Sequence, residues 1–203
     1  VQVQQAVQRS ATRKMDEFLA TFRRNLVGET RNKAQLDNVV REVFGEETGD
    51  ASAREMSQAW KASSEYLRTR YNAAGGAIAK RMDWGMPQIH DTMRVRQSSY
   101  EEWRDFISAR LDLTKMKDEQ TGLPFSESKL EFALRDAYET IRTDGFNKVK
   151  PGTMTGNKSF ATRNQDHRFF VFETADGWLE YQKKFGNPNA FDAMMGHIDM
   201  MSR

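Results

Sequence analysis

Three histidines are the first residues to test for catalytic or metal-binding chemistry. His197 and Asp199 are two residues apart, so on a helix their side chains point to different faces. The adjacent pair His90 and Asp91 is equally poorly placed to bind one ion, and no histidine lies in a spacing such as H-E-x-x-H. We therefore predict no metal site and no cofactor, and we interpret these residues as polar groups on helix faces and at helix ends.

Paired carboxylates are the next candidates, because enzymes that hydrolyse sugars place two of them on either side of the bond that breaks. Three acidic pairs occur here, but each pair consists of sequence neighbours in a predicted loop or exposed helix start: Glu46-Glu47, Glu101-Glu102 and Asp118-Glu119. A phosphate-binding glycine loop and a nucleophile elbow are also absent. We predict no catalytic residue and no small-molecule substrate, so the chain is not expected to be an enzyme.

A basic loop at residues 146–166 is the best candidate for binding a nucleic acid. Lysine and arginine alternate there with Phe146, Phe160 and Phe169, and cations plus stacking rings are the general means of holding single-stranded nucleic acid. The alternative is a loop whose charges stay hydrated while its phenylalanines anchor it to the core. The predicted contact residues are Lys148, Lys150, Lys158, Arg163 and Arg168.

Methionines crowd the last predicted helix. Methionine adapts its shape to a partner, so we predict an assembly contact at Met194, Met195, Met200 and Met201. On a helix, however, Phe191, Met194, Met195 and Ile198 form one stripe, which is also typical of ordinary core. Continuation of the methionines to the last residues favours packing against a further part of a longer polypeptide.

Composition limits the architecture that positions these residues. Of the 203 residues, 38% are apolar and 30% are charged, and the net charge is only +2. This balance is typical of a helical protein with long charged faces. The chain has no cysteine, which excludes disulfides and thiolate chemistry.

Apolar residues recur at steps of three and four along most of the chain, which predicts amphipathic helices. We expect helix starts at Asp50, Ser98, Ser126 and Thr174, and the helix behind Ser98 should run to about Met116. His167–Phe172 is the one convincing extended segment. The predicted fold is mainly α: an irregular bundle of about six or seven helices, with one short extended segment near 167–172. We place the N-terminal helices in residues 1–76 and a second helical domain in residues 77–203.

Several runs resemble a recurring segment of large phage and prophage proteins. They are Trp178-Leu-Glu-Tyr181, Lys184-Phe-Gly186, Asn189-Ala-Phe-Asp192-Ala-Met-Met-Gly-His197-Ile, Trp84-Gly-Met-Pro87 with His90-Asp91, Tyr100-Glu-Glu-Trp103, and Gly145-Phe-Asn-Lys148. The resemblance covers about residues 80–200. In several tailed phages such proteins look like internal virion proteins that take part in DNA ejection, and some hold a peptidoglycan-cleaving domain elsewhere in their chain.

The resemblance implies a non-enzymatic structural segment that helps assemble the conduit for genome delivery. Its partners would be other copies of itself, other virion proteins and phage DNA, with membrane contact only through the assembled complex. It would lie in the virion interior and, after ejection, in the host cell envelope. One alternative is a nucleic-acid-binding module of a phage or mobile-element protein that uses the basic loop. A weaker alternative is a fragment of a peptidoglycan hydrolase.

The basic loop can be tested by changing Lys148, Lys150 and Lys158 together to alanine. If these lysines contact phosphates, affinity for single-stranded DNA falls, and the slope of log affinity against log salt becomes shallower by about two for three lost contacts. Fluorescence anisotropy at several salt concentrations measures both quantities. Unchanged affinity and slope would show that the loop does not bind DNA.

Overall fold

The protein is mainly helical, as predicted. The computed structural model describes residues 5–6, 9, 13, 29–75, 86–118, 121–148 and 169–202. Within these residues lie seven α-helices and one 3-10 helix, here called η1. None of these helices is long and apolar enough to cross a membrane. The elements are α1 (Glu29–Val43), α2 (Ala51–Ala73), α3 (Thr92–Arg96), α4 (Tyr100–Ser108), α5 (Glu127–Arg142), η1 (Phe146–Lys148), α6 (Ala175–Phe185) and α7 (Ala190–Ser202).

The chain forms two compact units, and their division differs from the predicted one. The first unit comprises Val1–Pro87 together with Asn189–Arg203, and the second comprises Gln88–Pro188. The predicted boundary after residue 76 had placed the last helix in the second domain. In the structure α7 packs against α1 and α2, because Ala193, Met194 and Ile198 on its apolar stripe are buried in the first unit.

The first unit is built on α1 and α2, which are joined by a tight turn. Gly45 follows α1 with a φ of 87°, a conformation that glycine adopts without strain. The buried Glu42 carboxylate accepts hydrogen bonds from the Thr48 amide and hydroxyl, both at 2.8 Å. The Asp50 side chain then caps α2 by accepting from the Ala53 amide at 3.0 Å. These local bonds set the point where the chain reverses, as the sequence predicted for Gly45 and Asp50.

The start of α4 lies one residue later than predicted. Ser99, not Ser98, caps this helix, and its hydroxyl accepts from the Glu102 amide at 3.1 Å. Both serines precede a glutamate by three residues, so the capping-box pattern fits either position. Ser98 is occupied elsewhere, because its hydroxyl donates to the Val95 carbonyl at the end of α3 at 2.9 Å.

Helix α4 also ends earlier than predicted, at Ser108 rather than near Met116. The residues after it pair with the extended segment, of which residues 169–172 are described. The Asp112 amide donates to the Val171 carbonyl at 2.7 Å, and the Glu173 amide donates to the Arg110 carbonyl at 2.9 Å. Leu111 and Phe172 form an antiparallel bridge between these bonds. The predicted extended segment therefore exists, and its backbone partners come from the chain that sequence reasoning assigned to helix.

Two arginines of the short helix α3 bind the carboxyl ends of two longer helices. Arg96 donates from Nε and Nη2 to the Arg142 carbonyl of α5, at 3.1 and 2.9 Å. Arg94 donates from Nη1 to the Lys183 carbonyl of α6 at 2.9 Å. The last carbonyls of a helix carry partial negative charge and lack partners within the helix. The guanidinium groups supply those partners and hold α5 and α6 to α3.

Gly186, the residue after α6, is required by close packing of the backbone. A Cβ atom at this position would lie 2.6 Å from the Ile89 carbonyl oxygen and would also overlap Gln182 Oε1. The Asp91 amide donates to the Phe185 carbonyl at 2.7 Å, so residues 89–91 have little freedom to move away. The absence of a side chain therefore allows this segment to lie against the end of α6.

Changing Gly186 to alanine should lower the free energy of unfolding by about 1–3 kcal/mol, because the backbone must shift to admit the methyl group. Urea unfolding followed by circular dichroism measures the change. Gly196→Ala in α7 is the matched control: its Cβ would meet nothing within 4 Å, and alanine favours helix over glycine by about 1 kcal/mol. Equal stability of the Gly186 variant and the unmodified protein would contradict the packing argument.

Candidate functional site

The groups most capable of chemistry meet at the Tyr181 hydroxyl inside the second unit. Trp103 Nε1–H of α4 donates to this oxygen at 3.0 Å, and His90 Nδ1 lies 2.6 Å from it. Indole can only donate, so the Tyr181 oxygen accepts from Trp103 and its own proton is available to His90 Nδ1. A histidine beside a tyrosine hydroxyl is a pairing that could in principle transfer protons.

Burial makes this pairing unsuited to catalysis. Tyr181 and Trp103 have no exposed surface, and the absence of solvent raises the pKa of the Tyr181 hydroxyl well above its ordinary value. The rings of Phe170, Phe172 and Phe185 pack around the pair, with centroid separations of 5.4 to 5.9 Å. Because buried aromatic rings surround the hydroxyl, it serves to join parts of the fold.

The described residues contain no group of three or more His, Cys, Asp or Glu side chains arranged to hold a metal ion. Within the same residues, Asp118 is buried and forms a salt bridge to Lys129 at 2.8 Å, so one member of the acidic pair at 118–119 has a structural partner. Glu102 is likewise bonded to Lys184 of α6 at 3.1 Å. These carboxylates hold neighbouring elements together.

The predicted nucleic-acid contacts lie almost entirely outside the described residues. Lys148 is the last residue of η1. The other candidates, Lys150, Lys158, Arg163 and Arg168, fall outside the described part of the chain. Their role in binding stays a prediction.

The predicted methionine contact is corrected at one position. Met194 is buried in the first unit, with 2% of its surface exposed, because its face of α7 packs against α1 and α2. Met194 is therefore a core residue, which was the alternative interpretation of the stripe. Met195 is half-buried and Met200 is 46% exposed, while the side chain of Met201 lies outside the described part of the chain.

A surface on α5 and η1 is the feature that sequence reasoning missed. Phe132 is 74% exposed and Phe146 is 67% exposed, the two highest values among the described aromatic residues. A groove of about 300 Å³ runs beside Phe132. We call this the α5–η1 surface, and it comprises Phe132, Arg135, Asp136, Glu139, Phe146 and Asn147.

The phase of Phe132 is the signal that could have identified this surface. The buried residues of α5 are Leu134, Ala137, Tyr138, Thr140 and Ile141. Phe132 precedes Leu134 by two residues, which on a helix places it about 200° around the axis and away from the core. A large aromatic residue out of phase with the apolar stripe therefore marked an exposed aromatic group.

Local contacts hold the α5–η1 surface in place. The Arg135 guanidinium stacks over the Tyr100 ring, 4.2 Å from its centroid, and the Tyr100 hydroxyl donates to Glu131 at 2.8 Å. Burial, together with this hydrogen bond, raises the pKa of Tyr100 to about 12. At the other end, Asn147 Nδ2 donates to the Thr140 hydroxyl at 3.1 Å and holds η1 against α5. The groove is therefore formed by side chains with defined positions.

A scan against protein-family models and searches of curated proteins and of solved structures found no match to this chain.

The structural role of the Tyr181 hydroxyl predicts the effect of Tyr181→Phe. This change keeps the ring but leaves Trp103 Nε1–H and His90 Nδ1 without their shared oxygen, so the free energy of unfolding should fall by about 1–3 kcal/mol. Tyr71→Phe is the matched control, because Tyr71 is 39% exposed and should respond by less than about 0.5 kcal/mol. Urea unfolding of both variants provides the measurement, and equal effects would refute the role assigned to Tyr181.

Proposed function

We propose that this chain is a non-enzymatic structural segment of a phage internal virion protein, and that it helps assemble the conduit for genome delivery. The α5–η1 surface carries the proposal. Contiguous exposed apolar surface on an otherwise well-packed protein is typical of protein–protein contacts, and buried aromatic residues commonly contribute most of the binding energy there. The resemblance of residues 80–200 to phage internal proteins supplies the setting.

The use of polar residues inside the protein supports an assembly role over an enzymatic one. The histidine, tyrosine and tryptophan of the second unit bind one another within an aromatic core. Arg94 and Arg96 bind helix ends, and Lys184 and Arg110 pair with carboxylates on a neighbouring element. Because these groups maintain the fold, the surface aromatics are the groups best placed to contact another molecule.

The proposed partners are other copies of this chain and other virion proteins. The proposed locations are the virion interior and, after ejection, the host cell envelope. DNA contact through the basic loop belongs to the same proposal, and its test is the lysine substitution described above. Mass spectrometry of purified virions should detect the protein, and its absence from virions would refute the proposed setting.

Assembly through the α5–η1 surface is tested by the double variant Phe132→Ser/Phe146→Ser. Losing two aromatic groups from a contact should weaken self-association at least about tenfold, as measured by sedimentation equilibrium over a range of concentrations. Leu123→Ser is the matched control: Leu123 is 65% exposed in the 118–124 turn, and this change should leave association unaltered.

An unmodified protein that stays monomeric at every concentration would refute assembly through self-association. Equal weakening by the control and the double variant would show that general surface hydrophobicity, rather than the α5–η1 surface, drives the association.

A further inference from the structure

We infer that the α5–η1 surface is self-complementary, and that two copies of this chain join there by antiparallel packing of α5 against α5 of the partner. This inference rests on the proposed function, because it names the partner and the geometry of the assembly contact. Three observations carry it: the order of charges along α5, the groove beside Phe132, and the position of Phe146.

The order of charges favours antiparallel pairing. Phe132, Arg135, Asp136 and Glu139 are spaced by three and four residues or are adjacent, so they share one face of the helix. Parallel pairing about a two-fold axis would place Arg135 against Arg135 and carboxylate against carboxylate. Antiparallel pairing with Arg135 opposite the partner's Glu139 puts opposite charges together twice, because a two-fold contact is reciprocal.

Intramolecular contacts leave these charges able to take part. Arg135 is exposed while its guanidinium stacks on Tyr100, and Glu139 is half-buried in a salt bridge to Arg142 at 3.1 Å. An approaching arginine would therefore join an existing Glu139–Arg142 pair. Charges of this kind at the rim of a contact set its register more than its affinity.

The groove and the phenylalanines fit the same register. With Arg135 opposite the partner's Glu139, Phe132 lies opposite the partner's Arg142, near the end of the groove that Glu139 and Asn147 line. The groove of about 300 Å³ exceeds the roughly 150 Å³ of a cavity that accepts benzene, so it has room for one phenyl ring. Phe146 adjoins Asn147 and would cover the inserted ring. Each copy thus supplies both a projecting ring and a groove.

Cysteine cross-linking tests this geometry in the full chain, which contains no cysteine of its own. Asp136→Cys places a thiol beside the proposed two-fold axis, where a disulfide can reach its partner. Ser128→Cys lies on the same exposed face, but in the antiparallel register its two copies are roughly 27 Å apart along the axis, beyond disulfide range. Parallel pairing would bring the two Ser128→Cys thiols together.

After mild oxidation with copper phenanthroline, we expect the Asp136→Cys protein to form covalent dimers on non-reducing gels and the Ser128→Cys protein to stay monomeric. Adding Phe132→Ala to Asp136→Cys should reduce the dimer yield at least fivefold. Cross-linking of both single variants, of neither, or of Ser128→Cys alone would overturn the antiparallel contact.

The two proposals fail in distinguishable ways. If sedimentation shows association but Asp136→Cys does not cross-link, the antiparallel contact is wrong while assembly stands. If the unmodified protein does not associate at any concentration, the assembly proposal and the antiparallel contact fail together.

Discussion

The second unit depends on one buried oxygen, the hydroxyl of Tyr181. It accepts from Trp103 on α4 and bonds to His90, residues that lie 78 and 91 positions away in the sequence. A buried polar atom that loses its partner costs more free energy than one ordinary hydrogen bond contributes. Helices α4 and α6 and the segment before α3 must therefore approach one another in the arrangement that satisfies this oxygen. The packed phenylalanine rings around it exclude the water that could otherwise replace a lost partner.

The same demand explains why residues with chemical potential serve as connectors. Helix ends expose carbonyls and amides that need partners, and the chain supplies them from side chains close in sequence or distant from it. Ser99, Ser126 and Thr174 bond to amides within their own helices, whereas Arg94 and Arg96 reach carbonyls 46 to 89 residues away. The long-range bonds join elements that local capping alone would leave independent. Function is accordingly better sought on the surface than among these groups.

The surface of α5 contrasts with that interior. One face of the helix buries Leu134, Ala137 and Ile141, while the opposite face presents Phe132 beside a groove. Leaving a large ring in water forfeits burial energy that a contact can recover, which gives such a residue a physical role in association. The charges beside the ring restrict how a partner can approach. The proposed assembly role follows from this combination of apolar anchor, groove and ordered charge.

The sequence by itself determined what depends on neighbours three or four residues away. The helical class, the turn at Gly45 and the caps at Asp50, Ser126 and Thr174 all arise from such short-range interactions, and all were predictable. Tertiary structure decided the rest: that α4 begins at Ser99 and ends at Ser108, that α7 joins the first unit, and that Met194 is core. Each of these depends on which distant segment occupies a given face or bonds to a given amide. The α5–η1 surface combines both levels, since the phase of Phe132 is written in the sequence but its groove exists only once η1 folds back on α5.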